Sequence, residues 1–144
     1  MTRKPQRAPP DDSPPGEKTI ALQALLQAMP GAASETVRSR PRILLYKVAG
    51  KVFAVLSIRG PETVGLKCDA HLGDVLREQY AGVGLYRHYL RNWISVKLGA
   101  DVAMSEVERL AAASYDLVCA GLSAKQKADL AATVSAGGSA APGL

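Results

Sequence analysis

The chain has 144 residues, with 18 Lys and Arg against 13 Asp and Glu, a formal net charge of +5 and two cysteines. That length suits one domain around a single core, two cysteines do not make a disulfide scaffold, and nowhere do about 18 apolar residues run together as a membrane-spanning helix needs. The charge is uneven: residues 31–98 hold eleven Lys and Arg against five Asp and Glu, and residues 99–144 hold three against five, an asymmetry that fits an anionic partner.

Residues 1–16 contain five of the nine prolines together with Arg3, Lys4, Arg7, Asp11 and Asp12, a composition that predicts a disordered N-terminal arm. Its charges are followed by no apolar run, so it reads as neither a secretory leader nor an anchor, and a cytoplasmic protein is expected. Leu22, Leu25, Leu26 and Met29 then recur at helical spacing until Pro30-Gly31 stops the helix. The polar stretch 31–41 reads as a loop.

Three strands follow: Ile43 to Val48, Val52 to Ile58 and Thr63 to Cys68. They are separated by the Ala49-Gly50-Lys51 turn, where Gly50 can supply a positive φ, and by Arg59-Gly60-Pro61-Glu62. Asp69 is placed to cap a short helix through about Gln79. Leu85 to Leu98 reads as one further strand or a bent pair. Ser105 with Glu108 spells a capping box before a helix whose apolar stripe includes Val107, Leu110, Ala111, Ser114, Leu117 and Val118. Ser123 with Gln126 repeats the signal for a last helix to about Val134, and residues 135–144 read as a flexible tail. The expectation is a single α+β domain over residues 17–134, an antiparallel sheet packed against helices.

Side chains alternate across a strand, which divides the sheet residues into two sets. Leu44, Tyr46, Val48, Val52, Ala54, Leu56, Ile58, Val64, Leu66, Cys68, Ile94, Val96 and Leu98 are assigned inward. Leu45, Lys47, Lys51, Phe53, Val55, Ser57, Arg59, Gly65, Lys67, Trp93, Ser95 and Lys97 are assigned outward. A face with a basic residue on every strand and two large aromatics has the chemistry of a sheet-type nucleic-acid surface: cations neutralise phosphates, and rings stack bases or wedge into a groove. The run Tyr86-Arg87-His88-Tyr89-Leu90-Arg91-Asn92-Trp93 concentrates the same chemistry. The bland alternatives are a solvated lysine face, and Trp93 with Phe53 as a hydrophobic cluster beneath a loop.

No arrangement of nucleophile and base is visible, and no glycine-rich loop precedes a helix as a phosphate cradle requires. Cys68, Asp69 and His71 lie close in sequence, but a metal site needs three or four ligands and His88 is the only other histidine. No enzyme activity, cofactor or metal is expected. Cys68 and Cys119 read as reduced, buried thiols.

The phrases YKVAGKVF from Tyr46, LSIRGPETVGLKCD, REQYAGV, NWISVKL and SYDLVCAGL resemble the MmcQ/YjbR family of small bacterial proteins over about residues 17–125. The Lys67-Cys68-Asp69 element, the Trp93 strand and the Ser114-Tyr115 pair carry most of the likeness. Two positions depart from it: Arg38 to Arg42 lacks the family's aromatic-Gly pair, and Asn92 stands where a His often precedes the tryptophan. The resemblance implies a two-layer fold similar to CyaY, no catalytic activity, and DNA binding through protruding β elements, a double wing. By position these are the Ala49 to Lys51 and Arg59 to Glu62 turns. The leading expectation is therefore a non-enzymatic, weakly sequence-specific DNA-binding protein, with Lys47, Lys51, Arg59, Lys67, Arg87, Arg91 and Lys97 on phosphates and Trp93 stacking or wedging. The competing expectation is a protein-interaction or small-ligand module using the same face. Iron handling is disfavoured because Glu17 is the only acid of the first helix.

Overall fold

The computed structural model describes residues 14–86 and 92–140. The elements run α1 (Glu17–Ala28), β1 (Ala32–Val37), β2 (Arg40–Val48), β3 (Lys51–Ser57), β4 (Thr63–Lys67), α2 (Ala70–Gln79), β5 (Val83–Leu85), β6 (Trp93–Lys97), α3 (Met104–Ala120) and α4 (Ala124–Ala140). The six strands form one antiparallel sheet in the order β1-β2-β3-β4-β6-β5. The expected α+β class is the one observed.

The segment expected to be a loop before the first strand is itself strand β1, an edge strand paired with β2 from Ala32↔Val48 to Val37↔Arg40. It escapes sequence reading for two reasons. Its residues AASETV are mostly exposed, so no apolar alternation marks them. Its hairpin turns through Arg38 and Ser39 with no positive φ at either, so no Gly or Asn is required. A register shift at Thr36/Val37 absorbs the misfit. The β2–β3 hairpin is the opposite case: Ala49 and Gly50 have φ of 51° and 79°, the two left-handed residues of a tight hairpin.

Most inward assignments hold. Tyr46, Val48, Ala54, Leu56, Val64, Leu66, Ile94 and Val96 are buried and form the core with Leu22 and Leu26 of α1, Leu76 of α2, and Val107, Leu110, Ala111 and Val118 of α3. α1, α2 and α3 thus share one face of the sheet, while Leu130 of α4 packs at the margin of the same core.

Phe53, Val52 and Lys51 correct the parity reading: Lys51 pairs with inward Val48 and so takes the parity of the helix side rather than of the open face. Tyr46 pairs with Ala54, but Lys47 pairs with Val52, so the register skips Phe53. A β-bulge of this kind puts two residues opposite one and resets the alternation. Val52 takes the place opposite Lys47, while the Phe53 ring is fully buried in the core, edge-on to Tyr115 at 5.3 Å and 6.4 Å from Tyr46.

Beside the bulge the β3–β4 ladder ends, and α3 supplies the next partners. Backbone pairing of the two strands ends at Ala54↔Leu66; beyond it the Lys67 N–H donates to Ser114 Oγ at 2.8 Å, and the same hydroxyl donates to the Phe53 carbonyl at 2.5 Å. One fully buried side chain satisfies a donor and an acceptor that would otherwise be stranded. The adjacent Tyr115 hydroxyl donates to the Pro30 carbonyl, tying α3 to the turn after α1, and burial pushes its pKa up to about 12.

The helix ends follow local rules unevenly. Asp69 caps α2 by accepting from the His71 and Leu72 N–H groups, and Ser123 with Gln126 forms the reciprocal box at α4. The Ser105 box does not form: α3 begins at Met104 and its cap, Ala103, has no side-chain acceptor. α1 is capped from a distance, since Glu62 in the β3–β4 turn accepts from both the N–H and the hydroxyl of buried Thr19. α4 continues past the expected Val134 to Ala140.

Replacing Ser114 with Ala strands the Lys67 N–H and the Phe53 carbonyl together. It should cost about 2–6 kcal/mol in urea-unfolding stability, from a penalty of about 1–3 kcal/mol for each buried unsatisfied group. A loss below about 0.5 kcal/mol would mean that the strands close the gap without the hydroxyl. Asp101 supplies a pH test. Its carboxylate accepts from the Gly82 and Ala81 N–H groups, and these bonds hold its pKa below the ordinary 3.8. The stabilisation is therefore present above that value and is lost as pH falls through the lower, folded-state pKa. Asp101→Asn should flatten the acid limb of the stability curve and leave the neutral-to-basic limb parallel to wild type.

Candidate nucleic-acid interface

The sheet face opposite the helices is the candidate site. Strand pairing places its residues in rows. One row runs Leu45, Val55, Gly65, Ser95 and Gly84; the next carries Lys67 beside Trp93, and a third sets Thr63 beside Lys97. Lys47 lies on this face through its pairing with Val52. Strands about 4.8 Å apart put Lys47 and Lys67, on β2 and β4, roughly 10 Å from one another. Lys97 is four residues along β6 from Trp93, roughly 13 Å away.

The three lysines differ in what holds them. Lys47 is half-buried and donates to Glu35 Oε1 at 2.9 Å across the β1–β2 pair. Lys67 is half-buried, and Lys97 is exposed at the end of β6. The two turn residues lie at opposite ends of β3: exposed Lys51 opens the strand and exposed Arg59 follows it. Eight residues separate them, roughly 26 Å of extended chain, so they cannot meet the same phosphate. Arg87 and Arg91 lie outside the described residues.

Trp93 lies on this face, as its parity requires, yet it is only 9% exposed. Its ring packs against Tyr86 with centroids 6.2 Å apart. The Tyr86 ring also lies over Gly65, where a Cβ would come within 3.0 Å of it. Gly65 therefore leaves the room that Tyr86 occupies, and Val55 beside it is 4% exposed. Val55 and Trp93 are buried without joining the core on the helix side, so they make a small cluster on the outer face. With Phe53 in the core and Trp93 under Tyr86, neither aromatic offers a free ring face for a base to stack on.

Sequence reading missed the arginines at the end of the β1–β2 hairpin. Arg38 is exposed in the turn, and Arg40 and Arg42 open β2. The Ile58 N–H donates to the Arg42 carbonyl, extending the β2–β3 ladder and bringing Arg59 to the same end of the sheet. Ser39, Arg40, Pro41, Arg42 and Ile43 line a shallow cavity of about 390 Å³ there. The available signal was RSRPR itself, three arginines at spacing two, which is strand rather than loop spacing.

Charge follows the layers. Among the described residues, the strands and their hairpin turns from Ala32 to Lys67 and from Trp93 to Lys97 carry eight Lys and Arg against Glu35 and Glu62 alone. The four helices carry five Lys and Arg against seven Asp and Glu. The sheet layer is thus the cationic half of the molecule. The buried Cys68 thiol is pushed up by burial and by the neighbouring Asp69, which keeps it un-ionised at neutral pH. Cys119 is only partly buried, more accessible than its sequence context suggests. No helix among the described residues is long and apolar enough to cross a membrane.

Fold and surface together define a small two-layer α+β domain with a cationic sheet layer. The chain belongs to the YjbR family, whose model matches residues 27–117. No curated protein matches it. Among solved structures it is similar to the Deinococcus radiodurans protein DR2400, described as a DUF419 domain, with a TM-score of 0.71 and 21% identity over 87% of this chain and 92% of that one. A Pseudomonas syringae protein is also similar. Its crystal structure gives a TM-score of 0.59 at 18% identity, covering 68% of this chain and 96% of that one. Its solution structure gives 0.55 at 16% identity over 71% and 92%. At these identities the likeness is one of fold.

The state of Trp93 can be measured directly, because it is the only tryptophan. Its fluorescence should be quenched by acrylamide several-fold more slowly than that of free tryptophan. Quenching at the free rate would show that the ring is exposed in solution.

Proposed function

We propose that this protein is a non-enzymatic DNA-binding protein that acts in the cytoplasm and takes the phosphate backbone onto its cationic sheet layer. The observation that carries this reading is the segregation of charge, eight Lys and Arg against two acids on the strands and turns, on a sheet whose helices occupy only one side. Lys47, Lys67 and Lys97 supply the cations of the open face, with Lys51, Arg59 and the Arg38 hairpin at its two ends. Contacts of this kind position a backbone and carry no sequence information. The described helices offer no base-reading helix set apart from the core, so specificity is expected to be low. Because Trp93 is covered, duplex DNA fits the surface better than a single strand held by stacking.

Anisotropy titration of a labelled duplex tests the proposal. If Lys47, Lys67 and Lys97 each neutralise one phosphate, affinity should fall roughly 40-fold between 50 and 200 mM salt, from a slope of about −0.9 per contact. Lys67→Glu with Lys97→Glu should reduce that slope by about 2, and Glu35→Gln, which releases Lys47 from its ion pair, should tighten binding. Absence of binding at low salt, or a slope unchanged by the double reversal, would overturn the proposal. Capture of a protein that persists through nuclease and high salt while DNA binding is absent would instead favour the interaction-module reading.

A further inference from the structure

On the helix side of the sheet, α2 and α3 diverge over β4 and β6 and leave a cavity of about 460 Å³. Its floor is Leu66, Cys68 and Ile94; its walls are Leu72 of α2 and Leu110, Ala113 and Leu117 of α3. The lining is almost wholly apolar. Leu72 and Leu117, on facing walls, are 42% and 40% exposed, among the few large apolar side chains of the described residues left open to water. The volume lies within the range of small-ligand sites, which are mostly apolar with a few placed polar groups.

The polar groups are two carboxylates. Asp69 and Asp116 both line the cavity. Asp69 accepts only backbone N–H groups of α2 through one oxygen, and among the described residues Asp116 has no ion-pair partner. Lys67 contributes to the wall from β4, on the parity that directs its side chain to the opposite face of the sheet. An apolar slot with acids at its margin selects against anions and in favour of a cation with an apolar body, because the cation stays paired while the chain leaves water.

We propose that the cavity between α2 and α3 binds a small cationic amphiphile, a protonated alkyl- or arylalkyl-amine, with its apolar body on Leu66, Ile94, Leu72 and Leu117 and its ammonium between Asp69 and Asp116. The cavity opens on the helix side of the sheet and shares only Lys67 with the cationic sheet layer, and its occupancy does not depend on the nucleic-acid reading. No covalent step is involved, and Cys68 acts as part of the floor.

Titration of the full chain with n-octylammonium, 1-octanol and octanoate, followed by amide chemical shifts, tests it. Octylammonium should bind saturably, with shifts centred on Leu66, Cys68, Leu72 and Leu117, at least tenfold more tightly than octanoate. Asp116→Asn combined with Asp69→Asn, which keeps a capping side chain at α2, should bring octylammonium down to the affinity of octanol. Ala113→Phe, at an exposed position of α3, should fill the slot and abolish binding of both while the rest of the spectrum stays folded. Equal binding of octanoate, shifts centred away from the cavity, or binding that survives Ala113→Phe in a folded protein would each overturn the assignment, as would a failure of octylammonium to saturate.

Discussion

The hydroxyl of Ser114 is the interaction on which the arrangement of this domain turns. It sits where the β3–β4 pairing ends, beside the bulge at Phe53, donating to one strand and accepting from the other. Without it, the bulge would leave a carbonyl and an N–H unpaired in a dry interior, a cost comparable to a sizeable share of a small domain's stability. With it, the bulge is tolerated. The largest aromatic of β3 enters the core against Tyr115, while Lys67 two strands from Lys47 keeps its place on the other side. The division between an aromatic interior and a lysine-bearing exterior is set at this one junction between helix and sheet.

The same junction explains why the molecule has two unlike sides. α1, α2 and α3 bury their apolar stripes on a single face, and the long-range bonds from Ser114, Tyr115 and Glu62 stitch them to strand ends and turns rather than to one another. The acids among the described residues lie mostly on or beside those helices, and the strands and their turns carry eight Lys and Arg against two acids. The resulting field is a property of the layer rather than of any single pair, so loss of one lysine should weaken attraction to a polyanion by an increment rather than abolish it. The apolar slot between α2 and α3 lies on the acidic side, which is why the chemistry inferred there is of the opposite sign.

Much of this was legible in the chain because the core strands follow period-two alternation and the Asp69 and Ser123 caps obey local rules. The illegible parts have particular causes. β1 is an edge strand with little apolar patterning and a turn that needs no glycine, so nothing in AASETV distinguishes it from a loop. Parity counting places Phe53 outside because it cannot see a bulge, and the carbonyl at that bulge is satisfied by a serine 61 residues away. Parity puts Trp93 on the face where it lies, but its exposure depends on Tyr86, whose ring lies over Gly65 through a tertiary contact no local pattern encodes. The three lysines of the open face follow from strand parity alone. Their surroundings, including the Glu35 ion pair, required the register of a strand that the sequence did not announce.

In the proposed function, the helix-free, cationic side of the sheet meets the nucleic acid. Amide chemical-shift mapping of the full chain with a short duplex at low salt tests this most directly. Perturbations are expected along β2, β3, β4 and β6 at Lys47, Lys51, Lys67 and Lys97 and at the Arg38 and Arg59 turns, with the exposed faces of α2 and α3 unmoved. Perturbations concentrated on α2 and α3, with the strands unchanged, would contradict it.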